Sequence, residues 1–219
     1  MQVKATVRTA RCILVSCANP ADRQFDGMRK AVAACAGAGA VEAREWDGAP
    51  LVLAGRRGLT TLVLAGHGCG DQAALGDGRG CRLAPADVSL PVSAELFLLG
   101  CSQGRGDLRA AWARGSRLAE EKVHGAEGET ETLLSTLFVL HLAREGPAGL
   151  AALFEQWVLA NRLIRPFFEP CRELYRSTGG DPRAALSYLE RRVDLGAVKG
   201  FLSIVDSCLE YLTGLLPVP

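Results

Sequence analysis

Short apolar runs alternate with amphipathic stretches through the first half of the chain. Cys12-Ile13-Leu14-Val15-Ser16 is apolar and partly β-branched and runs on to Asn19-Pro20, the pattern of a buried strand followed by a loop. Residues 22–36 turn helical, with Phe25, Met28, Val32 and Cys35 recurring every three or four positions and Arg23, Arg29 and Lys30 largely off that stripe. A glycine cluster at 37–39 stops this helix. Residues 41–46 suit a short edge strand, and a brief helix is expected over 50–54. Leu62-Val63-Leu64-Ala65-Gly66 and Glu95-Leu96-Phe97-Leu98-Leu99-Gly100 are two more buried runs, each closed by glycine and followed by a reactive side chain. Between them, Gly76-Asp77-Gly78-Arg79-Gly80 is a turn cluster joining a small hairpin whose return strand is 81–83. Residues 107–113 and 130–144 read as helices, Gly146-Pro147 breaks the chain, and 150–164, 170–177, 182–193 and 198–215 are helical in pattern.

Strands alternating with helices imply an α/β fold: a mostly parallel central sheet with helices on both faces and a C-terminal helical annex. The predicted division is a core over 1–150 and an extension over 151–219 packed on the core or on a partner. A length of 219 residues suits one main domain. With 48% hydrophobic and 22% charged residues the chain is an ordinary globular one, and a net charge of +1 gives no general attraction to nucleic acid or anionic membrane. Charge interrupts every apolar stretch well before about 18 residues, so no membrane-spanning helix is expected. Eight dispersed cysteines without a secretory leader read as thiols in a reducing cytoplasm.

In open parallel sheets, reactive groups collect beyond the carboxyl ends of the strands. His67 and Cys101 both stand there, in the strings Ala65-Gly66-His67-Gly68 and Leu99-Gly100-Cys101-Ser102-Gln103-Gly104. If the two strands are neighbours, an imidazole and a thiol share one rim. A thiol with an ordinary pKa of about 8.5 is mostly protonated at neutral pH, and a nearby imidazole can take its proton and later protonate a leaving amine. Gly68 permits close approach of substrate backbone, and its N–H with that of Cys101 can donate to an oxyanion. Gly100, Ser102 and Gly104 leave room around the sulfur. His67, Cys69 and Cys81 lack the paired spacing and fourth ligand of a zinc site, and the glycines at 76–80 do not form a phosphate loop, so no metal or other cofactor is expected. His124, read as a loop residue, and His141, on a helix, carry no motif.

An apolar strand ending in His-Gly, followed 34 residues later by an apolar strand ending in a small residue and Cys, resembles the caspase-like cysteine peptidases. The short spacer, the Gly-rich flank of the cysteine, and the run from Gly125 to Thr132 leading into an apolar helix look most like the bacterial CHAT branch. The resemblance implies a caspase-like αβα sandwich in which His67 is the general base and Cys101 attacks a peptide carbonyl. It also implies a regulated bacterial effector, with a protein or peptide substrate and an activating partner. Gly100 stands where relatives often have Ala, and residues 117–123, where the family has a further apolar strand, are heavily charged. In relatives, the loop after the first strand and the segments flanking the last one select the substrate side chain. Those regions here hold Arg23 and Asp26, then Glu127, Glu129 and Glu131. The acidic majority favours basic substrates by charge pairing. From another class comes the alternative of a catalytically silent caspase-like scaffold that binds a protein partner.

Overall fold

In the computed structural model, residues 10–17, 26–37, 41–77, 82–178, 182–194 and 196 are described. Strands β1 (Cys12–Ser16), β2 (Val41–Glu45), β3 (Leu51–Val52), β4 (Thr61–Ala65), β5 (His67–Gly68), β6 (Leu75–Gly76), β7 (Arg82–Leu83), β8 (Val88–Ser89), β9 (Glu95–Leu99) and β10 (Val123–Gly125) follow in chain order. The helices are α1 (Asp26–Gly37), α2 (Gly106–Ser116), α3 (Thr132–Glu145), α4 (Leu150–Ile164), α5 (Phe168–Ser177) and α6 (Pro182–Glu190). This is an α/β fold with a five-strand central sheet, ordered β10-β9-β4-β1-β2, in which every pair is parallel.

Every residue of β1 and β4 is buried, as is β9 beyond Glu95, and burial on both faces is what makes their sequences continuous apolar runs instead of alternating ones. On one face Cys12, Leu14, Val63 and Phe97 pack under α1, α3 and α4, around Met28, Phe138 and Trp157. On the other, Ile13, Val15, Leu62, Leu64, Leu96 and Leu98 meet Trp112 and Ala113 of α2 and the small strands. Burial of each such side chain contributes roughly 1.5–3 kcal/mol. Helix α4 belongs to the first cluster. Its buried residues Leu150, Leu153, Phe154, Trp157, Ala160, Asn161 and Ile164 repeat at spacings of three and four.

The chain leaves β1 toward β2 on one side and returns to β4 on the other, which opens a crevice at the carboxyl ends of β1 and β4. The site grows from that edge.

Three local expectations are corrected. Residues 50–54 are not a helix: Leu51 and Leu53 are buried while Val52 between them is 76% exposed, a period of two, and β3 pairs in parallel with β8. The charged segment does end in a strand. Arg117 closes α2 in the left-handed region at φ 62°, residues 120–122 form one 3-10 turn, and β10 begins at Val123. As the sheet's outer strand it tolerates polar flanks that an inner one would not. His124 therefore lies in a strand instead of a loop. The first part of the 22–36 helix and the whole of 198–215 lie outside the described residues. Among the described residues no helix is long and apolar enough to cross a membrane.

Candidate active site

Thr61 through Ala65 lie opposite Glu95 through Leu99 in register, so His67 and Cys101 each stand two residues beyond the end of adjacent parallel strands. The ladder continues one step further, with the Gly66 N–H donating to the Leu99 carbonyl (3.3 Å). There the chain turns: His67 and Gly68 pair antiparallel with Gly76 and Leu75, and β6 pairs with β7, so the expected hairpin is a three-stranded ribbon that includes the histidine. The Cys69 N–H donates to the Ala74 carbonyl (3.2 Å). Bonded and non-bonded pairs alternate along an antiparallel ribbon, so Gly68 opposite Leu75 is the non-bonded pair and β6 does not use its N–H.

Gly68 is pressed against Cys101. A methyl added there would fall 2.7 Å from the Cys101 nitrogen and closer still to its carbonyl oxygen. Only hydrogen at that position lets the two backbones touch. Gly104 and Gly125 make a second such contact: a methyl on Gly125 would lie 2.6 Å from the Gly104 nitrogen. Main chain of Cys101 fills the space at Gly68, where the sequence had suggested approach of substrate backbone, and main chain of Gly125 fills that at Gly104, where it had suggested room around the sulfur.

Beyond Cys101, Ser102 adopts a left-handed φ of 63°, costly by about 1–2 kcal/mol for a residue with a Cβ. Two main-chain bonds hold the turn onto the loop after β10: Ser102 N–H to the Gly128 carbonyl and Gly104 N–H to the Ala126 carbonyl, both 2.8 Å. Gln103 is fully buried and fully used. Its amide nitrogen donates to the carbonyls of Gln72 (3.3 Å) and Cys101 (3.2 Å), and its oxygen accepts the indole N–H of buried Trp112 (2.8 Å). Gln103 thereby links the loop after His67 to the loop after Cys101. Arg105 bridges the same two loops at the surface through Asp71 (3.3 Å) and Asp107 (3.1 Å).

The sulfur of half-buried Cys101 sits against Thr130. The Thr130 N–H donates to Sγ at 3.3 Å, the Thr130 hydroxyl lies 3.6 Å away, and the thiol donates to the Thr130 carbonyl at 3.8 Å. A thiol and a thiolate thus each find partners there. Burial pushes the thiols of Cys12, Cys17 and Cys35 up to about 12, and it raises that of Cys69 against the opposing charge of Arg82. Those four are poor nucleophiles at neutral pH.

Of the proposed selectivity residues, Arg23 lies outside the described residues, and Asp26 is the first residue of α1. Glu127 and Glu129 are exposed and Glu131 is half-buried, all ahead of the first turn of α3. Glu129 forms an ion pair with Arg165 just after α4, which offsets the acidic charge counted from the sequence. Sequence reasoning assigned no role to Gln103, Thr130 or Asn161. Asn161 interrupts the apolar stripe of α4, a polar residue where packing calls for an aliphatic one, and that interruption is a readable signal.

The chemistry-bearing groups are a thiol and an imidazole at the carboxyl ends of adjacent strands, side chains of the kinds that can act as nucleophile and base. No family model, curated protein or solved structure matches the chain.

Proposed function

We propose that this chain is a cysteine endopeptidase of the caspase-like type, built as that family's αβα sandwich and closest in kind to its bacterial CHAT branch. The observation that carries the reading is the matched placement of His67 and Cys101 at adjacent strand ends, with Gly68 packed on the cysteine backbone. His67 takes the thiol proton as Sγ bonds to the scissile carbonyl carbon. The Gly68 and Cys101 N–H groups receive the oxyanion. The carbon–nitrogen bond then breaks, the amine leaves with the proton from His67, and water, deprotonated by His67, cleaves the thioester and restores the thiol. The protein works in the cytoplasm as a regulated effector, switched on by a protein partner.

Incubation with a mixed peptide library tests the reading: the native chain cleaves and Cys101→Ala does not. Equal cleavage by both would refute the assignment. A substrate-independent check is iodoacetamide labelling, in which Cys101 reacts faster than the other thiols and slows in His67→Ala. Uniform thiol reactivity would favour the alternative scaffold that only binds.

A further inference from the structure

Asn161 stands out as a buried polar side chain on an apolar helix face, 3% exposed, with both ends of its amide engaged. Its nitrogen donates to the Trp157 carbonyl one turn earlier (2.9 Å), and its oxygen accepts the main-chain N–H of Glu131 (2.6 Å). That N–H and the Thr130 carbonyl belong to one planar peptide unit and point in opposite directions. One end of the plane is therefore tied to α4 while the other faces the Cys101 sulfur (3.8 Å). The same loop is bonded to the cysteine turn through Gly128 and Ala126 and to the end of α4 through Glu129 and Arg165.

We propose that Asn161 is a positioning residue for Cys101, acting through the Thr130–Glu131 peptide to hold the Thr130 donors on the sulfur. The inference rests on reading Cys101 as the nucleophile. When the thiol loses its proton, two Thr130 donors, the N–H at 3.3 Å and the hydroxyl at 3.6 Å, face the sulfur against one carbonyl, the farthest of the three. Donors to a charged acceptor stabilise the ionised form. Untying the peptide lets these donors drift, and the thiolate becomes harder to form. Because the tie is made by α4, a helix that otherwise serves packing, whatever shifts α4 changes the reactivity of the thiol.

The test is the pH profile of Cys101 alkylation by iodoacetamide, followed by mass spectrometry on the full chain. Asn161→Leu removes the acceptor, and Asn161→Ser is too short to reach Glu131 while its hydroxyl still satisfies the Trp157 carbonyl. Asn161→Asp keeps the acceptor for Glu131 and gives up the donor to the Trp157 carbonyl. The leucine and serine variants should be labelled several-fold more slowly at neutral pH, and the aspartate variant, which keeps the acceptor, should be slowed less. If the leucine variant fails to fold, the serine variant decides. A native profile in the folded leucine or serine variant, or an equal slowing in all three, overturns the proposal. The readout is the thiol itself and needs no substrate. Failure of the peptidase reading would appear separately, as equal cleavage by Cys101→Ala.

Discussion

Replacing Gly68 by alanine probes the contact that brings the two strand ends together. Gly68 does not use a left-handed φ, so alanine is allowed by the backbone and the substitution acts through the methyl alone. That methyl would lie 2.7 Å from the Cys101 nitrogen and closer still to its carbonyl oxygen, where ordinary contact begins at 3.4 Å, so one backbone must retreat by about 1 Å or more. Neither side has a flexible end to yield. Overpacking of this kind costs about 1–3 kcal/mol, and at about 2–4 °C per kcal/mol for a chain of this size Tm should fall by roughly 2–12 °C. The chemical effect should be larger, since a displacement of about 1 Å between reacting groups can cost about a hundredfold in rate. Cys101 labelling by iodoacetamide and thermal melting are measured side by side. Gly128→Ala is the control, because a methyl there meets nothing within 4 Å although its carbonyl holds Ser102. If Gly68→Ala labels and melts like the control, the tight apposition of the two backbones is not what organises the site.

Gln103→Leu should strand the buried Trp112 N–H, lower stability by about 1–3 kcal/mol in a denaturant titration, and slow Cys101 labelling as the two loops part. Burial holds the Cys12, Cys17 and Cys35 thiols up to about 12, so the unfolded chain gives up these protons first. Their contribution to stability is intact below about pH 9 and is lost as pH rises toward 12; Cys35→Ala should flatten the slope of the denaturation midpoint over that window. His124, stacked on Phe97 at 4.4 Å with its buried Nε2 lacking a hydrogen bond and 3.9 Å from a Glu95 carboxylate oxygen, is held below the usual histidine range by burial, with Glu95 and Glu155 opposing and Arg109 assisting. The unfolded state therefore takes up the proton first as pH falls through about 6.5, stability drops, and His124→Phe should remove that part of the acid slope, read by melting between pH 7 and 5.

The central strands were legible because burial on both faces leaves a sequence mark: β1 is the run beginning at Cys12, and the runs at 62–66 and 95–100 are β4 and β9 within a residue. Helix α1 separates β1 from β2, but among the described residues no α-helix lies between β4 and β9; their parallel pairing was legible from the burial of both runs on both faces, and the rim position of His67 and Cys101 follows from that pairing. Where burial is one-sided and elements are short, the signal fails. Leu51-Val52-Leu53 is too brief for its alternation to outweigh a flanking proline, and β10 has one fully apolar residue, Val123, behind a charged turn. The residues that hold Cys101 in place were invisible for another reason. Thr130 acts largely through its main chain, which side-chain identity does not encode, and Gln103 works through partners at 72, 101 and 112 that only the fold brings together. Asn161 left a trace, since helical periodicity marks it as a polar residue in an apolar row.

The bond between Glu131 and Asn161 also sets a clock. At a synthesis rate of about 5–20 residues per second, Asn161 leaves the ribosome several seconds after Cys101, and β4 and β9 can pair well before α4 exists to dock. The ends of β4 and β9 can therefore meet before the loop at Thr130 is tied to α4. The loop that holds the sulfur is thus tied down only once α4 has docked, and a chain cut short before residue 161 carries Cys101 without that tie.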